Sequence, residues 1–134
     1  MNRFLIIFAG FILISNCTLS QFTVKIEIND LRNNTGKVML QFFDENEKVL
    51  IQETSDIKEK SCHFVIKSIM AGKYAVRYFH DENLNLVMET NNFGKPTEGY
   101  GFSNNVTGTF GMPPFEKWLF TLNKDKTIVL KTVY

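Results

Sequence analysis

Apolar and polar residues alternate along most of the chain with a period of two, and this alternation limits the possible folds more than any other feature. The pattern is clearest in residues 22–29, 38–42, 62–69 and 74–79, and helical periodicity does not recur in the same way. Successive side chains of a strand point to opposite faces, so each segment predicts a strand with one buried face. The sequence therefore predicts an all-β fold.

The order of strands and turns favours one sandwich. Turn residues at 33–36 separate the first two segments, and we predict that these two strands form a hairpin. Residues 49–51 predict an edge strand or a connection, while residues 115–122 and 127–134 predict a C-terminal hairpin with the polar turn 123–126. Six to seven strands favour a single immunoglobulin-like or transthyretin-like antiparallel sandwich with one long ordered loop.

Length and charge exclude several other classes of protein. The chain has 134 residues, which suffices for one domain and is too short for two cores. Its 15 Lys and Arg nearly balance its 14 Asp and Glu. No basic tail or acidic run is present, so we expect neither nucleic acid nor an anionic membrane surface as a partner.

The N-terminus carries the pattern of a secretory signal peptide over residues 1–20, which leaves a β-sandwich domain over residues 21–134. One positive charge precedes the apolar run 4–14, which is too short for a transmembrane helix. Thr18 and Ser20 are small enough for the cleavage site. We therefore predict export to the periplasm, the outer-membrane surface or the medium, and no membrane span in the mature chain. An uncleaved N-terminal anchor is an alternative.

The two cysteines differ in their expected roles. Cys17 loosely resembles the acceptor of a bacterial lipoprotein, but Asn16 stands where a small residue is normally required. If cleavage follows Ser20, Cys62 is the only thiol of the mature chain, which then has no internal disulfide. Cys62 shares a strand face with Phe64, so we predict a buried structural cysteine.

Residues 80–114 interrupt the alternation. They hold five of the eight glycines and all three prolines of the chain. Loops of this length are uncommon in compact domains and are usually functional or disordered. The aromatic residues Phe93, Tyr100, Phe102 and Phe110 predict an ordered loop that packs on its own side chains. We expect any chemistry of this protein to lie here.

The same region carries a family resemblance. HDENLNLVMETNNFGKPTEGYGFSNN, followed by FGMPPFEKWLF, resembles the domain of unknown function family 2141, and the similarity in pattern extends from near Val24 to Tyr134. The resemblance implies a single secreted bacterial β-sandwich without an established activity. Leu86 and Glu89 stand where the family usually has glycine and aspartate.

Oxygen-bearing residues at alternate positions of this region raise the question of calcium. Asp81, Asn83, Asn85, the Val87 carbonyl and Glu89 occupy the odd positions of a calcium-loop series, and calcium prefers six to eight oxygen ligands. The turn glycine and the terminal bidentate carboxylate of such loops are missing. Weak calcium binding is therefore one prediction. The alternative is a metal-free loop in which the Asx side chains bond their own backbone.

Catalysis has less support. His80 beside Asp81, or with Glu98, could form the acid–base pair of a periplasmic hydrolase or accessory subunit. Adjacent residues of a strand point to opposite faces, and no nucleophile motif accompanies them, so a structural histidine is the alternative. We therefore predict that the protein is not an enzyme.

The aromatic residues of the region favour binding. Tyr100, Phe102 and Asn104, together with Phe110 and Trp118, could stack a sugar ring or hold a peptide. The alternative is a small core packed under the loop. We predict an exported, non-catalytic binding or structural module of the bacterial envelope, without a required cofactor, whose partner is an envelope glycan or protein.

Overall fold

The computed structural model describes residues 18–134. The predicted signal peptide therefore lies outside the described residues, apart from its last three, and so does the lipid-anchor alternative at Cys17. Within residues 18–134, no helix has the length and apolar character needed to cross a membrane.

Strands dominate the described chain. The elements, in chain order, are β1 (Gln21–Asn29), β2 (Lys37–Asp44), β3 (Val49–Asp56), β4 (Cys62–Met70), β5 (Gly72–Asp81), β6 (Tyr100–Phe102), a 3₁₀ turn (Ser103–Asn105), a second 3₁₀ turn (Phe115–Lys117), β7 (Phe120–Leu122) and β8 (Lys126–Lys131). Two of these eight strands have only three residues each.

The strands form two sheets. The three-stranded sheet has the order β4-β1-β8, and the five-stranded sheet has the order β3-β2-β5-β6. The fifth strand, β7, pairs the N-terminal part of β5, while β6 pairs a later part of it. All pairs are antiparallel except β1 with β8. The predicted all-β sandwich is confirmed, and β3 is the edge strand expected from residues 49–51.

Both predicted hairpins are wrong. β1 lies in the three-stranded sheet between β4 and β8, whereas β2 lies in the other sheet, so the chain crosses between sheets at the turn after β1. At the C-terminus β7 pairs β5 while β8 pairs β1, and a 3₁₀ turn at Phe115–Lys117 replaces the first half of the predicted strand. Alternation determines which face of a strand is buried, but it carries no information about the partner strand.

The main core lies between the sheets. The inner residues of the central strands, among them Ile26, Leu40 and Tyr78, are at most 1% exposed. Cys62 belongs to this core, as predicted. Burial raises the pKa of its thiol to about 12, so the thiol stays protonated at neutral pH.

A second, smaller core covers part of the outer face of the five-stranded sheet, the face turned away from the other sheet. Phe43 and Ala75 point outward from β2 and β5, and Phe102 and Trp118 pack on them. The Phe102 and Trp118 rings lie 4.3 Å apart between centroids. The uncovered remainder of this outer face forms the floor of a groove.

Candidate functional site

The groove on the outer face has a volume of about 930 Å³. Strand register arranges its floor in two parallel rows. The apolar row consists of Met39, Phe79 and Tyr100, which are paired across β2, β5 and β6. The polar row lies beside it, two residues away from the apolar row along β2 and β5.

The polar row consists of Gln52, Gln41 and Arg77 on β3, β2 and β5. Arg77 Nε donates to Gln41 Oε1 at 2.7 Å, and Gln41 Nε2 donates to Gln52 Oε1 at 2.7 Å. The Arg77 guanidinium also lies over the Phe43 ring, 5.4 Å from its centroid. These contacts fix the position of the guanidinium at the floor.

Arg77 has no ion pair among residues 18–134. Desolvation by its surroundings lowers the pKa of its guanidinium below the ordinary value, although an arginine stays charged at neutral pH. A partly desolvated cation without a carboxylate is an energetic cost that an anionic ligand would relieve.

Two segments wall the groove. Residues 86–96 contribute Leu86, Met88 and Phe93, and residues 108–112 contribute Phe110 and Met112. Phe93 is 94% exposed and Phe110 is 100% exposed, so the expectation that these rings pack within the loop is wrong for both. Each ring precedes a glycine with positive φ, at 94 and at 111, and a side chain at the tip of such a turn projects into solvent.

A buried carboxylate holds the loop that precedes β6. Glu98 is 4% exposed, and its Oε1 and Oε2 accept the backbone N–H groups of Glu82 and Glu89 at 3.1 and 3.3 Å. Thr97 N–H donates to the Glu89 carbonyl at 2.9 Å. One carboxylate thus links both ends of the segment to its middle, which orders the wall of the groove.

The predicted calcium ligands lie at the start of this loop, and four of them meet. The Asp81 carboxylate accepts the backbone N–H groups of Asn85 and Leu86 at 3.1 and 2.9 Å. The side-chain amides of Asn83 and Asn85 both donate to Glu89 Oε1 at 2.8 Å.

The amide oxygens of this cluster serve the backbone. Asn83 Oδ1 accepts the N–H of Asn85 at 3.1 Å, and Asn85 Oδ1 accepts the N–H of Val87 at 2.9 Å. This is the Asx-turn pattern, in which the loop is shaped without a metal. No group of three or more His, Cys, Asp or Glu side chains in residues 18–134 is placed to hold a metal ion.

His80 is fully buried between the sheets. Its Nε2 donates to the Thr35 carbonyl at 2.7 Å, and in the neutral ring Nδ1 accepts the Tyr134 hydroxyl proton at 2.8 Å. The Tyr134 oxygen accepts the backbone N–H of Arg32 at 2.9 Å. His80 and Asp81 make no hydrogen bond to each other, because Asp81 faces the loop. His80 on β5 thus links the turn before β2 to the C-terminal residue.

The predicted ligand-binding residues divide between structure and groove. Tyr100 is half-buried in the apolar row, and Phe102 borders the groove while packing in the second core. Asn104 does not line the groove; its side-chain amide donates to the carbonyls of Lys117 and Leu119, both at 2.9 Å.

Sequence reasoning missed the floor of the groove. Arg77, Gln41 and Gln52 lie on strands whose outer faces the alternation predicts to be solvent-exposed. A signal was present, because Met39 and Phe79 place apolar side chains on the supposedly polar faces of β2 and β5. Apolar residues on both faces of a strand indicate a covered or ligand-binding outer face.

Among comparisons with known proteins, one family model matches most of the sandwich. Neither curated proteins nor solved structures give a match. A family model described as "Uncharacterized protein conserved in bacteria (DUF2141)" matches residues 26–129, a range that begins in β1, ends in β8 and includes the groove. The chain therefore belongs to this family of uncharacterised bacterial proteins, as the resemblance of its long loop implied.

Proposed function

We propose that the chain is an exported, non-catalytic binding module of the bacterial envelope and that the outer-face groove is its ligand site. The observation that carries the proposal is the exposure of Phe93 and Phe110, two large rings that border one groove without being buried. Contiguous exposed apolar surface around a concave site is typical of a binding surface. Export rests on the N-terminal sequence pattern.

A periplasmic hydrolase or accessory subunit is the alternative from another class. It would use His80 with Asp81 or Glu98. The geometry supports the binding module instead, because both ring nitrogens of His80 have partners in the interior and both carboxylates accept backbone N–H groups. None of the three residues lines the groove.

The test is binding-site mapping by NMR with a screen of oligosaccharides, short peptides and aliphatic and aromatic carboxylates. We expect ligands to shift the backbone resonances of the floor rows in a saturable way. The double variant Phe93→Ala/Phe110→Ala should keep its melting temperature, because both rings are exposed, and should bind at least fivefold more weakly.

The control is Leu50→Ala/Val65→Ala, which removes two exposed apolar side chains outside the groove. Its affinity should equal that of the wild type. Ligands that shift residues elsewhere, or equal affinity in both double variants, would refute the groove as the binding site.

Weak calcium binding is a second candidate, carried by the alternate spacing of Asp81, Asn83, Asn85, Val87 and Glu89. A bound ion would have to displace the backbone N–H groups that the two asparagine oxygens accept. If calcium binds, millimolar calcium should raise the melting temperature, as expected for an extracellular site of low affinity. Glu89→Gln should abolish the gain, whereas Glu53→Gln on the edge strand should keep it. An unchanged melting temperature of the wild-type protein in millimolar calcium would refute calcium binding.

A further inference from the structure

We infer that the groove binds a peptide that ends in a free carboxylate, with the carboxylate on Arg77 and the apolar side chains of its last residues on the apolar row. This inference rests on the groove being the binding site proposed above. It concerns the chemistry of the ligand, and three observations carry it.

The first observation is the charge of the groove. Arg77 and Lys95 are the only charged residues that line it in the described chain, and no Asp or Glu does. Arg77 uses Nε for Gln41, while its two terminal nitrogens make no hydrogen bond within residues 18–134. A guanidinium binds a carboxylate through two parallel N–H···O bonds, which makes a terminal carboxylate a suitable partner.

The second observation is the spacing of the rows. Arg77 and Phe79 lie on the same face of β5, two residues apart, which is roughly 7 Å along a strand. The Arg77 guanidinium extends toward Phe43, on the side of the polar row away from Phe79. An extended peptide advances roughly 3.3 Å per residue, so a carboxylate on Arg77 lets the apolar side chains of its last residues reach Phe79 and Met39.

The third observation is the nature of the lining. Met39, Met88 and Met112 line the groove, and methionine adapts to apolar side chains of different shape. Gln52 offers an amide nitrogen that makes no hydrogen bond within the described residues, and it can donate to a peptide carbonyl. A peptide presents both of these features, apolar side chains and backbone carbonyls, next to its terminal carboxylate.

The experiment compares N-acetyl-Ala-Ala-Ala-Leu as the free acid with the same peptide as the C-terminal amide, each titrated into the wild-type domain by NMR. We expect the acid to shift Arg77, Gln52 and Phe79 and to bind about tenfold more tightly than the amide. Arg77→Gln should remove the difference between the two peptides. Lys73→Gln, the loss of a charge on the same strand outside the groove, should preserve it.

Equal affinity of acid and amide in the wild type would overturn the inference, and this comparison needs no variant. Dodecanoate and an oligosaccharide serve as further probes of the same residues. If one of them shifts the floor rows while neither peptide does, the groove remains a binding site and the peptide inference is wrong. If no probe shifts the floor rows, both proposals fail.

Discussion

Leu86 has a backbone φ of +63°, and its side chain, which borders the groove, is 62% exposed. A left-handed conformation costs a residue with a Cβ roughly 1–2 kcal/mol, whereas glycine adopts it freely. We expect Leu86→Gly to raise the free energy of unfolding by about 0.5–1 kcal/mol, measured by urea denaturation.

Val87 provides the matched control for this prediction. It is 60% exposed, and its φ is not positive. Val87→Gly keeps the N–H that donates to Asn85 and should lower stability by a few tenths to about 1 kcal/mol, since glycine gains entropy in the unfolded chain. If Leu86→Gly destabilises the fold as much as Val87→Gly does, the positive φ of Leu86 carries no strain that glycine relieves.

Tyr134 completes the hydrogen bonds of a buried histidine. Tyr134→Phe removes the donor to His80 Nδ1 and the acceptor of the Arg32 N–H. A buried polar atom left without a partner costs about 1–3 kcal/mol, so the free energy of unfolding of the variant in urea should be lower by that amount. Tyr100→Phe is the control, because the Tyr100 hydroxyl makes no hydrogen bond within residues 18–134. Equal stability of the two variants would contradict the assigned network.

At the scale of the elements, Asn105 protects the free edge of β8. Its side-chain amide donates to the Val129 carbonyl at 3.1 Å, and its Oδ1 accepts the Lys131 N–H at 2.9 Å. The amide thus stands in for a neighbouring strand, which keeps the edge from pairing with other chains.

Asn105→Gly removes these two hydrogen bonds without straining the backbone, because Asn105 has a φ of +52° that glycine adopts freely. We expect a loss of about 1 kcal/mol in stability and faster amide hydrogen exchange at Lys131, whose N–H loses its acceptor. Asn92→Gly, in an exposed stretch of the loop, should leave that exchange rate unchanged. Unaltered exchange at Lys131 in Asn105→Gly would refute the protective role.

Strands whose apolar residues share one face were predictable from the sequence, and strand partners were not. The alternation around Ile26 and that around Val76 correctly gave the faces of β1 and β5. The pairing of β1 with β4 and β8 joins residues far apart in sequence, and no local pattern encodes it. Trp118 was predicted to lie in a strand, but it caps the 3₁₀ turn Phe115–Lys117. Its packing in the second core overrides the strand propensity of this segment.

The candidate site was predictable only in part, for a related reason. Composition indicated residues 80–114 as the region of interest, since their glycines and prolines depart from the strand pattern, and residues 86–96 and 108–112 of this region wall the groove. Arg77 could not be identified in this way, because the groove forms only when β2, β3, β5 and β6 lie side by side in register. A site built on a sheet face depends on pairing, which is the property that alternation leaves open.

At the scale of the whole molecule, the ion pair of Arg32 with Glu82 joins two distant parts of the chain, and its guanidinium contacts a third. Arg32 Nη2 forms an ion pair with Glu82 Oε1, and the Asn33 side-chain amide donates to Glu82 Oε2 at 3.0 Å. Arg32 and Asn33 lie in the crossing between the two sheets, and Glu82 begins the loop that walls the groove. The Arg32 guanidinium also lies 4.8 Å from the centroid of the Tyr134 ring.

This arrangement determines how the fold responds to acid. Partial burial alone would raise the pKa of Glu82, but the hydrogen bond from Asn33 and the Arg32 guanidinium outweigh it, so the pKa lies below its ordinary value. A carboxyl whose pKa is lowered by folding stabilises the fold above its unfolded pKa, near ~4.3. That stability is lost as the pH falls through the folded pKa.

Glu82→Gln should therefore be less stable than the wild type at pH 7, and the difference should shrink as the pH falls from about 5 to about 3. Urea denaturation across this range measures it. Glu53→Gln, on the edge strand and without an ion pair among the described residues, should match the wild type throughout. A constant difference between Glu82→Gln and wild type at every pH would mean that Glu82 acts through its shape and not its charge. Acid would then act elsewhere in the molecule.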